Sequence, residues 1–365
     1  MSSHGVSLNP QSAIRNPQLP SPKRILVIRL DRIGDVVLST PVLQALRHRY
    51  PHAFIAMMVR QACADVVAGN PYLNEVVVYE KEGAHRSVIG TIRFARQLRH
   101  RYAFDTALVL HPSNRSHWIP WLAGIPVRIG YNRKCGWLLT HRVPHRKQEG
   151  QRHEEVYTLE MLAPFGIELP ADPRPTITLS PRANQRIDAL LAAASVSVGE
   201  PLLAIHPSAS CVSKRWMPQR FAQVADRLIA EQGVRMCVVA GESDVPYADQ
   251  MVQAMTQPVL NLAGQLSMAE LAVLLHRCRL LISNDSGPVH VAAAVGTPVV
   301  DIFGRNQRGL SPLRWGPLGE GHVILHKEVG CVTCLAHNCD IDFLCLTSLS
   351  VDEVYHAASS ILQRR

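Results

Sequence analysis

Aromatic residues are scarce in this sequence, at 5% of 365 residues, although Lys and Arg outnumber Asp and Glu by 38 to 29. Proteins that bind single-stranded nucleic acid stack its bases on aromatic side chains, so this scarcity argues against nucleic acid as the partner. We also find no helix-turn-helix, zinc-finger or RNA-recognition pattern. The formal net charge of +9 therefore favours a phosphorylated substrate or an anionic membrane, or simply a basic protein with solvated faces.

Long apolar runs are also missing. No run reaches the ~20 residues that a membrane span needs. Residues 1–22 are polar and rich in proline and lack the apolar centre of a signal peptide, so we predict a disordered leader there and a cytoplasmic protein. The length of 365 residues suits two domains better than one.

The two common glycine-rich patterns that bind nucleotide phosphates, Walker A and G-x-G-x-x-G after a strand, are both absent. What the sequence does contain is a regular alternation of apolar strands with amphipathic helices, interrupted by a basic and proline-rich segment between residues 143 and 181. Such alternation predicts an α/β protein with two doubly wound parallel sheets. We expect domains at 23–180 and 181–349 and a C-terminal helix at 350–365, with ligands bound where the strands end.

The stretch from Leu280 to Gly304 has the pattern strand, loop, helix, strand. Asp285, Ser286 and Gly287 form its loop, and Pro288 fits the first position of the helix. Such a loop directs backbone N–H groups and the positive end of a helix dipole at one point, which suits a phosphate. An ordinary, well-capped βαβ unit is the simpler interpretation.

Two further loops follow strands in the second half. The first places Ser208, Ser210 and Lys214 after the strand LLAIH, where hydroxyl and ammonium groups can neutralise a diphosphate. The second carries Glu242 and Asp244, whose carboxylates could accept hydrogen bonds from ribose hydroxyls or could lie in a solvated turn.

In the first half, Asp35 follows the strand RILVI and lies beside Gly34, which permits a tight turn. A carboxylate at this place could act as a general base, or it could only cap the helix that follows. Arg29 and Arg32 are close in sequence and could keep Asp35 ionised or bind an anionic acceptor.

Three segments together, RILVIRLDRIGDVVLSTPVLQALRHRYP, IHPSASCVSKRWMPQRFAQVADRL and the segment ending in NDSGPVHVAAAVGTPVVDIFG, resemble the heptosyltransferases of glycosyltransferase family 9. The resemblance covers nearly the whole chain from Lys23 onward. It implies a GT-B fold, two Rossmann-like domains facing each other across a cleft. It also implies transfer of heptose from ADP-L-glycero-β-D-manno-heptose to the inner core of lipopolysaccharide, with inversion at the anomeric carbon.

The resemblance also implies roles for single residues. Asp35 matches the catalytic base, Lys214 matches the lysine that binds the diphosphate, and Asp285, Ser286 and Gly287 match the donor loop, with His290 in the same motif. The N-terminal domain would bind the phosphorylated lipid A-core acceptor and the C-terminal domain the donor. Another GT-B glycosyltransferase or epimerase that uses a different nucleotide-sugar, and a non-catalytic nucleotide-binding protein, stay open as alternatives.

We expect neither a metal ion nor a cofactor in the reaction, because the only D-x-D pattern, Asp340 to Asp342, does not follow a strand of the donor site. It lies in a segment with four cysteines spaced C-x₂-C-x₄-C-x₅-C, which could hold a structural metal ion, stay reduced or form a disulfide. These cysteines are Cys331, Cys334, Cys339 and Cys345.

Because the implied acceptor is anchored in lipid, we expect the protein to dock reversibly on the inner face of the cytoplasmic membrane. Basic residues of the first half are the predicted means. They are Arg93, Arg96, Arg99, His100, Arg101 and the loop 141–147, with Arg142, His145, Arg146 and Lys147.

Overall fold

The computed structural model describes residues 21–364 except 198, 332, 333 and 335. The predicted leader therefore lies, apart from its last two residues, outside the described residues. Within the described part of the chain, none of the helices combines the length and the apolar character needed to cross a bilayer.

Twelve strands within the described residues form two parallel six-stranded sheets, each built from one half of the chain. The strands of the first sheet are β1 Arg24–Ile28, β2 Phe54–Val59, β3 Glu75–Val78, β4 Thr106–Val109, β5 Val127–Tyr131 and β6 His141–Val143. Those of the second are β7 Leu202–His206, β8 Arg235–Val238, β9 Leu260–Asn261, β10 Leu280–Asn284, β11 Val299–Phe303 and β12 Val323–His326. The spatial orders are β3-β2-β1-β4-β5-β6 and β12-β11-β10-β7-β8-β9.

Helices connect the strands and cover both faces of each sheet. In the first half they are α1 Ile33–Val37, α2 Thr40–Arg49, α3 Ala64–Val67, α4 Val88–Tyr102, α5 Asn114–Leu122 and α6 Glu154–Leu159. In the second half they are α7 Pro181–Ala193, α8 Pro218–Gln232, α9 Val245–Ala254, α10 Met268–Arg277, α11 Gly287–Ala294, α12 Pro312–Trp315, α13 Leu344–Thr347 and α14 Val351–Gln363. The expected α/β fold with two doubly wound parallel sheets is confirmed.

The apolar core has three parts. One cluster fills the space beneath α4 and α5 on one face of the first sheet and contains first-half residues, among them Leu26 and Phe94. A second lies beneath α8 and α14 on the second sheet. The third joins the halves, since it contains Val36 of α1 as well as Val289 of α11. The two sheets are therefore held against each other by a shared core.

Two local predictions differ from the structure. The segment after β1 forms two helices, α1 and α2, instead of one, because Pro41 at the start of α2 cannot donate a backbone hydrogen bond to the preceding turn. The segment 141–147, interpreted as a basic loop, begins with the edge strand β6.

The contacts of α7 with α10 and of α14 with α8 place both helices on the second sheet. The boundaries at 23–180, 181–349 and 350–365 remain a proposal.

Candidate active site

A cleft of about 1390 Å³ lies between the two halves, at the carboxyl ends of β1, β4, β7 and β10. Its first-half wall includes Asp31, Asp35 and Glu154, and its second-half wall includes Lys214 and Asp285. Residues that are hundreds of positions apart in the sequence thus share one cavity. The parallel topology explains this, since loops that follow parallel strands all emerge at the same edge of the sheet.

Arg29, at the end of β1, is the centre of the first-half wall. Its side chain is 1% exposed, and its guanidinium contacts three carboxylates, with Nη2 2.5 Å from Asp35 Oδ1 and 3.0 Å from Glu154 Oε1, and with Nε 3.2 Å from Asp31 Oδ2. It also donates to the backbone oxygen of Leu110. Arg29 was predicted to bind the acceptor. It stays a prediction, and the burial of the guanidinium among these partners favours a role in positioning them instead.

Asp35 lies in the first turn of α1, with its side chain 16% exposed to the cleft. Burial raises the pKa of this carboxyl, Arg29 opposes that change, and the neighbouring carboxylates Asp31 and Glu154 raise the pKa further, so that it lies above its usual value. Asp31 behaves differently, because Arg29 and His111 outweigh its burial and lower its pKa. A carboxyl with a raised pKa and access to a cleft suits proton transfer.

Glu154, in the first turn of α6, was not predicted from the sequence. It is 1% exposed, and three cations contact it, Arg29, Lys147 with Nζ 2.5 Å from Oε1, and Arg314 with Nη2 2.7 Å from Oε2. These cations hold the pKa of Glu154 far below its usual range although burial acts in the opposite direction. Arg314 belongs to α12 of the second half, so Glu154 ties the two halves together.

The second-half wall is centred on Lys214. Its Nζ lies 2.6 Å from Asp285 Oδ2 and donates to the backbone oxygen of Asp285 at 3.1 Å. Arg305, 7% exposed, has Nη2 3.7 Å from the same carboxylate. An ammonium group has three donors, and within the described part of the chain Lys214 contacts only these two oxygens of Asp285, which leaves one N–H to bind an anion in the cleft. Ser286 precedes α11, whose first residues Gly287 and Pro288 line the cleft.

The remaining predicted donor residues divide into two groups. Ser210, Asp244 and His290 line the cleft, and Ser210 Oγ accepts a hydrogen bond from Arg32 across it at 3.1 Å. Two predictions are not supported by the placement of the side chains. Ser208 is fully buried and bonds to Nε2 of His206 at 3.1 Å, and Glu242 is exposed and does not line the cleft.

The two halves pack directly against each other where α1 meets α11. A Cβ atom on Gly34 would lie 2.5 Å from Cδ2 of His290, so only glycine fits here without displacement of the imidazole. Burial lowers the pKa of His290 to about 3, with help from His153 and Lys214, so the ring is neutral. The role of Gly34 is thus steric and not conformational, since it lies within α1 without a positive φ and lets this helix of one half lie against a side chain of the other.

Comparison with known proteins agrees with this architecture. The family model described as glycosyltransferase family 9 (heptosyltransferase) matches residues 91–344. The chain belongs to glycosyltransferase family 9. The lipooligosaccharide heptosyltransferase 2 of Haemophilus influenzae is 27% identical over 84% of this chain and 89% of its own. The resemblance predicted from the sequence is confirmed.

Solved structures place the family 9 chain in the GT-B fold. The family 9 glycosyltransferase of Veillonella parvula superposes with a TM-score of 0.87 at 25% identity, covering 94% of this chain and 98% of its own. The Escherichia coli ADP-heptose lipopolysaccharide heptosyltransferase II superposes with a TM-score of 0.77 at 24% identity, over 93% and 99%. The predicted GT-B fold is confirmed.

The four late cysteines lie away from this cleft. They line a neighbouring cavity of about 720 Å³, which also contains His326 and shares Arg305 with the cleft. Asp340 lines the same cavity and not the cleft. Among the described residues, no three Cys, His, Asp or Glu side chains are arranged to hold a metal ion. All four are free cysteines in the structure.

Proposed function

We propose that this chain is an inverting heptosyltransferase of type II, which moves heptose from ADP-heptose to the inner core of lipopolysaccharide. One observation carries the proposal, namely that a carboxyl with a raised pKa and a lysine with a free N–H lie on opposite walls of one cleft. We infer the substrates from the names of two relatives. One is a lipooligosaccharide heptosyltransferase, and the other is an ADP-heptose lipopolysaccharide heptosyltransferase.

In this proposal the second-half wall binds the donor. The free N–H of Lys214 and the N-terminus of α11 would bind the diphosphate, and Asp244 is placed to accept from the ribose. Asp285 acts on the donor through Lys214, because its carboxylate and its backbone oxygen fix the position of the ammonium group. Ser208 then acts only through His206, and Glu242 has no role in this proposal.

The reaction itself needs one proton transfer and one displacement. An acceptor hydroxyl attacks the anomeric carbon from the face opposite ADP, its proton passes to Asp35, and the bond between the anomeric carbon and the β-phosphate oxygen breaks. The electron pair of that bond leaves with ADP as negative charge on the β-phosphate. Lys214 and the backbone N–H groups at the start of α11 stabilise this charge, and a preorganised contact of this kind contributes ~10²–10³ in rate.

Acceptor binding falls to the first-half wall. Arg32, Arg60, Arg133 and Lys134 line the cleft on this side, and none is buried as Arg29 is. Phosphate groups on the inner core are anions that such side chains bind well. Arg29 positions Asp35 instead, and Glu154 positions Arg29.

We further propose that the protein works in the cytoplasm, reversibly attached to the inner face of the membrane that holds the acceptor. Part of the docking surface predicted from the sequence is not available for this purpose. Lys147 is 5% exposed and pairs with Glu154 inside the cleft, so it cannot reach a membrane.

A panel of substrates tests the proposed function. Purified protein is incubated with lipopolysaccharides truncated in the inner core and with ADP-heptose, UDP-glucose or UDP-N-acetylglucosamine, and the products are weighed by mass spectrometry. We expect a gain of one heptose residue with ADP-heptose alone. Transfer from a UDP-sugar instead would indicate another GT-B glycosyltransferase, and ADP binding without any transfer would indicate a nucleotide-binding protein.

A further inference from the structure

Three of the five tryptophans of the chain are exposed, and all three lie within twenty residues of one another. Trp118 and Trp121 belong to α5, and Trp137 belongs to the short 3₁₀ helix Gly136–Leu138, where it is 68% exposed. The other two tryptophans behave as expected of large apolar side chains, since Trp216 is fully buried and Trp315 is half-buried beside the cleft. A cluster of exposed tryptophans indicates a surface that binds a partner.

These side chains form one surface, which we call the tryptophan face and which consists of Trp118, Trp121, Trp137, Val88 and Ile89. Trp118 and Trp121 are three positions apart on α5 and so share a side of that helix. The loop before Trp137 touches the start of α5 through Cys135 Sγ, 3.6 Å from Asn114 Oδ1. Val88 and Ile89, 63% and 71% exposed, begin α4, which packs beside α5.

The segment of the chain that contains this face is strongly basic. Residues 86–142 contain ten Lys and Arg but a single acidic residue, Asp105, so this segment alone carries the formal net charge of +9 of the whole chain. Arg93 and Arg96 of α4 are exposed and, within the described residues, form no ion pair. Arg142 is exposed as well and donates to the backbone oxygen of Trp137 at 3.4 Å.

The tryptophan face adjoins the acceptor side of the cleft. Arg133 and Lys134, which line the cleft, precede Trp137 by only a few residues. His111 and Pro112, which also line it, precede α5 directly. The apolar cluster beneath α4 and α5 contains first-half residues, so this helix layer lies on the outer side of the first sheet. A flat partner on this face would therefore lie next to residues that line the acceptor side of the cleft.

We infer that the tryptophan face docks on an anionic lipid bilayer, with the tryptophans at the level of the headgroups and the surrounding arginines on anionic lipids. Tryptophan prefers the membrane interface, and basic residues near an anionic surface strengthen binding. A bilayer fits both properties of the face, whereas a nucleic acid would account for the arginines but not for Val88 and Ile89. The inference rests on the proposed function in one respect, since a lipid-anchored acceptor gives such docking its purpose.

Vesicle binding tests the inference without relying on catalysis. The full chain is sedimented with vesicles of phosphatidylcholine, with or without phosphatidylglycerol, at low and high salt. We expect binding to the anionic vesicles only, weakening as salt screens the attraction. Changing Trp118, Trp121 and Trp137 together to Ser should lower the partition coefficient by roughly tenfold or more. Changing Arg93 and Arg96 to Ser should lower it by about fivefold for each residue at low salt.

Matched controls separate docking from general effects. Arg182→Ser with Arg186→Ser removes two exposed charges from α7 of the second half, and Leu169→Ser removes an exposed apolar side chain elsewhere, so both should bind vesicles as the unaltered protein does. Melting temperatures establish that each variant is folded.

Activity gives a second measurement. The triple tryptophan variant should keep its kcat/KM toward deacylated lipopolysaccharide in solution but lose activity toward lipopolysaccharide embedded in anionic vesicles. Absence of vesicle binding, equal binding by the triple variant, or binding to RNA in place of vesicles would each overturn the inference. Vesicle binding without any sugar transfer would overturn the proposed function and leave the docking surface supported.

Discussion

The two sheets have the same strand order, and yet their carboxyl ends carry opposite chemistry. Counted from the first strand of each half, both follow the order 3-2-1-4-5-6. In the first half three carboxylates surround the buried guanidinium of Arg29, whereas in the second half two cations, Lys214 and Arg305, lie near the carboxylate of Asp285. One topology therefore supports a wall suited to accept a proton and a wall suited to bind a phosphate.

The difference between the walls comes from the loops and not from the strands. Strands β1 and β7 each have four apolar, buried residues out of five, the exceptions being the partly exposed Arg24 at the start of β1 and the buried His206 at the end of β7. After them the first half has Asp31 and Asp35, and the second half has a loop with serines and Lys214. The fold thus determines where the loops come together, and the few residues that follow each strand determine the chemistry of the site that they form.

Replacing the proposed base should have the largest effect on activity. Asp35→Asn keeps the shape of the side chain but cannot take a proton, so kcat should fall by ~10²–10⁴. ADP affinity, measured by calorimetry, should stay the same because Lys214 is on the other wall. Asp172→Asn, at an exposed carboxyl in the linker, is the control. Turnover close to that of the unaltered protein would remove Asp35 from the mechanism.

Breaking the first-half network should have the largest effect on stability. Glu154→Gln leaves Arg29, Lys147 and Arg314 without their shared carboxylate, and removing one partner of a buried ion pair costs about 3–5 kcal/mol. Urea unfolding at pH 7 measures this cost. Glu160→Gln, which removes a partly exposed partner of Arg152 directly after α6, should cost no more than about 1 kcal/mol.

The pH dependence of that cost has a definite sign. The folded-state pKa of Glu154 lies far below its unfolded value of about 4.3, so its stabilisation is complete above pH 4.3 and declines as the pH falls further. The difference in unfolding free energy between the unaltered protein and Glu154→Gln should therefore shrink below pH 4. A difference that stays constant down to pH 3 would mean that the carboxylate is not the source of the stability.

The general architecture could be predicted from the sequence because it depends on local patterns. Alternating apolar strands and helices predict the two sheets, and the stretch from Leu280 to Gly304 forms the predicted strand, loop, helix and strand. Asp35 and Lys214 could be singled out because each follows a strand. These signals span fewer than about thirty residues and need no knowledge of contacts between distant segments.

The Glu154 network could not be predicted, because its members are far apart in the sequence and meet only in the folded chain. Glu154 is 125 residues from Arg29 and 160 from Arg314. The surrounding segment was interpreted as a basic loop, a helix around residues 154–162 and a linker, in which solvated charges are the usual expectation. Arg29 was assigned to the acceptor for the same reason, since a sequence does not show that an arginine is buried. One signal was present, the two consecutive acids Glu154 and Glu155 in a basic segment.

On the second wall, Lys214→Ala should weaken ADP binding. A charge-assisted hydrogen bond contributes about 1.5–3 kcal/mol, so the Kd for ADP should rise roughly 10- to 150-fold. Lys81→Ala, which removes an exposed lysine of the first half, should leave the Kd unchanged. A melting curve without ADP checks that the loss of the partner of Asp285 has not unfolded the loop. An unchanged Kd in a folded Lys214→Ala protein would place the diphosphate elsewhere.

The smallest expected effect is a change in the pKa of Asp35 when its neighbour Asp31 is replaced. Asp31 shares the guanidinium of Arg29 with Asp35, with its Oδ2 3.2 Å from Nε, and its negative charge raises the pKa of Asp35. Asp31→Asn removes that charge and leaves Arg29 with one carboxylate fewer to neutralise, and both changes stabilise ionised Asp35. Since the base must be ionised to accept a proton, the acid limb of the kcat profile should move to lower pH, while Asp172→Asn leaves it in place. Movement to higher pH would show that Asp31 acts on turnover through His111, which it contacts at 2.8 Å, and not through the charge on Arg29.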